Sequence, residues 1–80
     1  MKLKVLLFGI STDLIGANSL ELELSEKTTV GSFKNQLQQE HPQLTQLNSY
    51  AIAVNESYAS DDTELKQNDL VAIIPPVSGG

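Results

Sequence analysis

The chain of 80 residues contains no cysteine and no arginine. Without cysteine there is no disulfide framework, no thiol nucleophile and no thiolate metal site. Five lysines face ten acidic residues, for a formal charge of −5. That balance argues against nucleic acid, whose phosphates need clustered Lys and Arg. It argues equally against holding a phosphorylated small molecule unaided, and it favours a basic partner surface. The apolar runs, Val5 to Phe8 and Val71 to Ile74, are far too short to span a bilayer. No small-residue cleavage site follows the lysine-containing start, so no secretory signal is expected and the cytoplasm is the expected location. No G-x-x-x-x-G-K-[ST] loop is present, so the chain has no phosphate-loop means of using ATP itself.

The remaining chemistry-bearing residues are sparse. His41 is the single histidine and precedes Pro42 at a helix end, where an imidazolium complements the helix dipole. No metal site is expected, because several carboxylates would have to converge without a thiolate. No nucleophile-elbow motif surrounds any serine. Asp61-Asp62 lacks the spacing of a calcium loop and reads as a solvated turn.

What is present is an ordered alternation of apolar and polar residues. A strand is expected over Lys2 to Ile10, with Leu3, Val5 and Leu7 on one face and Lys2, Lys4, Leu6 and Phe8 on the other. The lysines mark the second face as solvated at its start, which puts Leu6 and Phe8 on an open face that turns apolar. Ser11 to Gly16 suggests one helical turn with Ser or Thr as N-cap and Gly at its end. Ser19 to Ser25 alternates Leu20, Leu22 and Leu24 against Glu21 and Glu23, a strand with one wet face. Thr29 is the expected N-cap of a helix that buries Val30, Phe33 and Leu37 and stops before Pro42. Leu44 and Leu47 return under the core. Tyr50 to Val54 is a third strand, Asn55-Glu56 a turn, and Ser57 to Ala59 a short edge. Leu65 is a core anchor and Leu70 to Ile74 the last strand. The first and last strands carry the most continuous apolar runs and belong side by side, parallel, in the centre. The expected fold class is α+β: a small mixed sheet of β-grasp type with one main helix on one face, residues 1–74, followed by an extended tail, residues 75–80.

That tail is Pro75-Pro76-Val77-Ser78-Gly79-Gly80. Two prolines end the sheet ladder and favour extended geometry. Gly79 and Gly80 remove every side chain at the tip, so a channel too narrow for a Cβ admits it. Six extended residues reach roughly 20 Å. The α-carboxylate at the tip is ionised at neutral pH and a poor electrophile. Another protein has to activate it, for instance as an acyl-adenylate.

These residues resemble the small subunit of molybdopterin synthase, a ubiquitin-like sulfur carrier. The resemblance covers essentially the whole chain. It rests most on Leu65, Asp69, Val71-Ala72 and the ending Pro75-Pro76-Val77-Ser78-Gly79-Gly80, with Ala53-Val54-Asn55 and Thr29-Val30 in support. It implies that an E1-like enzyme adenylates Gly80 with ATP and that sulfur then makes a terminal thiocarboxylate. The tail enters the large subunit and gives its sulfur to cyclic pyranopterin monophosphate, forming the molybdopterin dithiolene. On this reading the chain is no enzyme alone, binds no cofactor, and joins two large subunits and a second copy of itself in a heterotetramer. By position in the family pattern, Phe8, Tyr58 and Ile74 fall on the docking patch. Thr12-Asp13 and Ser32 depart from the arginine and the acidic residue common at those places. Two other readings share the tail: a protein modifier joined to a lysine amine, and a carrier for thiazole synthesis. A plain interaction domain would use no terminal chemistry.

Overall fold

The computed structural model describes residues 1–47 and 49–75. Of the expected tail, Pro76, Val77, Ser78, Gly79 and Gly80 lie outside the described residues, and Pro75 lies within them.

The first strand, β1 (Lys2–Leu7), follows the expected parity: Leu3, Val5 and Leu7 are buried, Lys2 and Lys4 exposed, Leu6 half-buried. It ends at Leu7, before the expected Ile10, for a local reason. Beyond Leu7 the peptide groups of Phe8 leave the ladder for the Ser11 hydroxyl. The Phe8 N–H donates to Ser11 Oγ at 3.1 Å, and Ser11 Oγ donates to the Phe8 carbonyl at 2.5 Å. Gly9 then turns the chain at φ +56° and ψ −135°, a region that only glycine occupies without strain. A short helix, α1 (Ile10–Ile15), starts there with Gly9 as N-cap and no side-chain cap. Neither Ser11 nor Thr12 is the N-cap expected from sequence. The stop is as expected: Gly16 is left-handed at φ +83° and its N–H donates to the Thr12 carbonyl at 2.7 Å.

Strand β2 (Ser19–Glu23) pairs antiparallel with β1, placing Lys2 opposite Glu23 and Lys4 opposite Glu21. It stops short of Ser25, yet Leu24 stays buried, its N–H donating to the Met1 carbonyl. Helix α2 (Val30–Glu40) matches expectation. The Thr29 side chain accepts the Ser32 N–H, and Val30, Phe33 and Leu37 form the buried stripe. Pro42 opens a 3₁₀ turn (Pro42–Gln46), which the sequence reading had not specified; Leu44 is buried within it and Leu47 packs against the core. Strand β3 (Ala51–Val54) begins after Tyr50, whose hydroxyl instead accepts a hydrogen bond from Gln38 Nε2. Asn55 and Glu56 both have positive φ, as a two-residue hairpin turn of type I′ requires. Strand β4 is only Ser57–Tyr58, and β5 (Leu70–Ile74) has its expected bounds.

The sheet order is β2-β1-β5-β3-β4. The first and last strands lie parallel at the centre, Val5 beside Val71 and Leu7 beside Ile73. This is the β-grasp arrangement. Leu3, Val5, Leu7, Leu22, Ile52, Val71 and Ile73 share one core with Val30, Phe33, Leu37, Leu44 and Leu65.

The Asn55 side chain ties the outer hairpin to the start of β5. Its Nδ2 donates to Asp69 Oδ1 at 2.9 Å, and its Oδ1 accepts the Leu70 N–H at 2.9 Å. Asp69 Oδ2 in turn accepts the Lys66 N–H. Replacing Asn55 by Ala removes both side-chain bonds and puts a Cβ-bearing residue without a polar side chain at φ +52°. The expected loss is about 1–2 kcal/mol, seen as a lower urea midpoint with an unchanged m-value.

Candidate functional site

The helix side of the sheet is filled, so the other side decides what this domain can touch. Its composition follows from register. Leu6 stands opposite Ser19 and beside Ala72, Ala72 beside Ala53, and Ala53 opposite Tyr58. One row therefore runs across all five strands: Ser19, Leu6, Ala72, Ala53, Tyr58. The two alanines keep its middle low between the larger Leu6 and Tyr58. Towards the end where β5 leaves the sheet, Ile74 pairs with Ala51. Towards the other end the row gives way to Lys4, flanked by Glu21 and Leu70. The face is thus graded, charged where β1 begins and apolar where β1 and β5 end.

Phe8 is 48 % exposed and Tyr58 76 % exposed, while Ile74 is half-buried. All three positions expected on the docking patch are on or beside this face. Phe8 lies one residue beyond the end of β1, where the Ser11 hydroxyl holds its backbone. Sequence reasoning missed Leu70, Ala72, Ala51 and Ala53 as members of the face. The alternation of β5 alone would have placed Leu70, Ala72 and Ile74 together. Ile10, expected at a strand end, is instead the exposed first residue of α1.

Pro75 marks the root of the tail and lies against the turn after β1: a Cβ placed on Gly9 would sit 3.1 Å from Pro75 Cγ. The root therefore adjoins the apolar end of the open face. A cavity of about 230 Å³ is lined by Met1, Glu26, Lys27, Glu64, Leu65, Lys66 and Gln67. It lies at the start of β1, away from Pro75, and mixes charges of both signs. Among the described residues no three His, Asp or Glu side chains gather to hold a metal ion. Asp61 is exposed, as expected, but its loop also crosses the start of α2. Its carbonyl accepts the Gly31 N–H at 3.0 Å and its carboxylate lies 3.3 Å from Lys34 Nζ. No helix among the described residues is long and apolar enough to cross a membrane.

The model of the ThiS family matches residues 5–80. The chain belongs to the ThiS family. A Dictyostelium discoideum relative of this ThiS-family chain, named molybdopterin synthase sulfur carrier subunit, is 40 % identical, over 96 % of this chain and 94 % of its own. A Pyrococcus furiosus structure called a molybdopterin converting factor subunit 1 superposes with a TM-score of 0.87 at 31 % identity, covering 96 % of this chain and 99 % of that one. A chain in the Helicobacter pylori complex of subunits 1 and 2 of molybdopterin-converting factor superposes at 0.72 and 28 % identity, with both chains fully covered. The resemblance read from the C-terminal motif is borne out, and so is the ubiquitin-like β-grasp fold.

Tyr58, the exposed end of the row, is dispensable to folding in a way the core is not. Tyr58→Ala should change stability by no more than about 0.5 kcal/mol, whereas Phe33→Ala, at a fully buried site, should cost about 3–5 kcal/mol. Chemical denaturation of both variants checks the contrast.

Proposed function

We propose that this chain is the sulfur-donor subunit of a molybdopterin synthase and that Gly80 carries the sulfur. The observation that carries the reading is the placement of the tail root Pro75 at the apolar end of an otherwise uncovered sheet face. It is supported by relatives that bear the name of sulfur carrier subunit. In a chain without cysteine, a side-chain thiol cannot carry sulfur, and the terminal carboxylate is the remaining place for it.

The chemistry proceeds through partners. An E1-like enzyme binds ATP, and the Gly80 carboxylate attacks its α-phosphorus. Pyrophosphate leaves and an acyl-adenylate remains. A sulfide-equivalent donor attacks the acyl carbon and expels AMP, leaving the thiocarboxylate. The large subunit then receives the tail, Pro75 to Gly80, and the thiocarboxylate sulfur passes to cyclic pyranopterin monophosphate on the way to the dithiolene. This chain binds no cofactor of its own; basic groups of the large subunit hold the anionic substrate, which an acidic, arginine-free domain does not. Two carriers flank a dimer of large subunits, and the complex works in the cytoplasm. Phe8, Tyr58 and Ile74 dock the partner, with Leu6, Ala72 and Ala53 as the floor between them.

Intact mass after incubation with an E1-like enzyme, ATP and a sulfur donor tests the reading. The expected result is a gain of one sulfur for one oxygen, mapped to Gly80, and its loss when Gly79-Gly80 are deleted, with the fold unchanged. An unchanged mass with an enzyme active on another carrier overturns it. A covalent adduct with lysine amines in place of sulfur transfer establishes the modifier reading instead. Docking is tested separately. Phe8→Asp and Tyr58→Asp place a charge on the apolar face and should each weaken binding to the large subunit by about tenfold or more, measured by calorimetry, with thermal unfolding nearly unchanged for Tyr58→Asp.

A further inference from the structure

The turn after β1 does more than end a strand. Ser11 is fully buried and spends its hydroxyl on both peptide groups of Phe8. A second pair of backbone bonds closes the same turn, Ser11 N–H to the Phe8 carbonyl at 3.2 Å and Thr12 N–H to the Gly9 carbonyl at 3.1 Å. Phe8 and Gly9 are thus held by the start of α1. Gly9 combines two properties. Its φ and ψ lie where side chains are strained, and a methyl group on its Cα would crowd the Pro75 ring, 3.1 Å from Cγ, so that the ring would have to shift. Pro75 contributes a ring, a fixed φ and no N–H, so its position depends on packing and not on a ladder bond. β1 and β5 are parallel neighbours with Leu7 beside Ile73. Continuing that register by two residues brings Gly9 alongside Pro75.

We propose that Gly9, braced by Ser11, is a seat for the Pro75 ring that fixes the direction in which the tail leaves the domain relative to the docking residue Phe8. Gly9 and Ser11 are then positioning residues for delivering Gly80 into a partner's active site. This rests on the sulfur-donor reading above. The seat affects the transfer step more than docking, because the apolar row is still available when the root is displaced. A misdirected root displaces the reacting carbon five residues further on, and small errors of placement are costly at a reacting centre.

The test uses the carrier loaded as its Gly80 thiocarboxylate by sulfide cleavage of an intein thioester, mixed with large subunit and pyranopterin substrate in single turnover. Gly9→Ala should lower the transfer rate at saturating carrier by about tenfold or more, with the concentration giving half-maximal rate changed far less. Gly16→Ala is the control. It also puts a Cβ at positive φ, in the milder left-handed helical region, and a Cβ there meets nothing within 4 Å, so its transfer rate should match the wild type. Ser11→Ala, which loosens the brace without adding bulk, should give a smaller loss in the same rate. Pro75→Ala removes the ring from the seat, and adding Gly9→Ala to it should slow transfer by much less than Gly9→Ala does alone, because the contact with the ring has gone and only the backbone strain at position 9 remains. A wild-type rate for Gly9→Ala, an equal loss in Gly16→Ala, or additive losses in the double variant each overturn the seat. If the wild-type thiocarboxylate releases no sulfur to the large subunit, the sulfur-donor reading is what fails. The seat is then decided in the free protein by NMR. Gly9 Hα to Pro75 ring NOEs, with shift changes reaching residues 76–80 in Gly9→Ala but not in Gly16→Ala, sustain it; their absence overturns it.

Discussion

The parallel pairing of β1 with β5 is the constraint on which the rest depends. Two parallel neighbours point their C-terminal ends the same way. The turn that follows β1 and the residue that follows β5 are therefore neighbours in space, though they come from opposite ends of the chain. Gly9 and Pro75 meet for that reason. An antiparallel pairing would have sent the root of the tail to the end where Lys2 and Glu23 lie, a charged surface with little to offer an apolar partner. The pairing also needs a crossover, which α2 supplies by lying across one face of the sheet. Covering that face with Phe33 and Leu37 leaves the opposite face uncovered by a helix.

Much of this was legible in residue order. The lysines at positions 2 and 4 fixed the parity of β1, Thr29 and Pro42 bounded α2 to the residue, and Pro75 closed β5 where it should. The errors lie where a side chain competes with the backbone ladder. Ser11 ahead of a helical pattern reads as an N-cap, because serine caps helices by the same hydroxyl chemistry. Here the hydroxyl turns back to Phe8, shortens β1 and lets glycine take the cap. Nothing local separates the two uses of one serine. The row from Leu6 to Tyr58 was hidden for another reason: it exists only through register across three strand pairs, and register is a tertiary property. Ala53 and Ala72 look like filler in their own strands and become the floor of a surface when paired. Close contact between Gly9 and Pro75 is of the same kind, a consequence of pairing that neither segment displays alone.

A sheet with one uncovered face invites association, and the arrangement of charge limits where. The outer edge strand β2 carries Glu21 and Glu23, opposite Lys4 and Lys2, and charged edge residues discourage strand addition. At the other edge β4 is two residues long, too short to template a partner strand. The sticky area is therefore confined to the face, and within the face to the end nearest Pro75. A net charge of −5 keeps copies of the chain apart while leaving a basic partner attracted.

A domain of this size has no room for a buried active site beside its one core, since Phe33, Leu37, Leu44 and Leu65 already occupy the interior between helix and sheet. On the proposed function the chemistry is carried out on partners. What the fold can supply is a rigid origin, a surface that fixes orientation on a partner, and a chain end aimed from a defined point. Rigidity comes from the core and from ties such as Asn55 to Asp69. Orientation comes from the graded face. The proposed aim comes from the turn at Gly9, where the absence of a side chain leaves space for the Pro75 ring. None of the three requires a reactive side chain, so a sequence without cysteine or arginine, and with one histidine, is compatible with the proposed role as a donor to another protein.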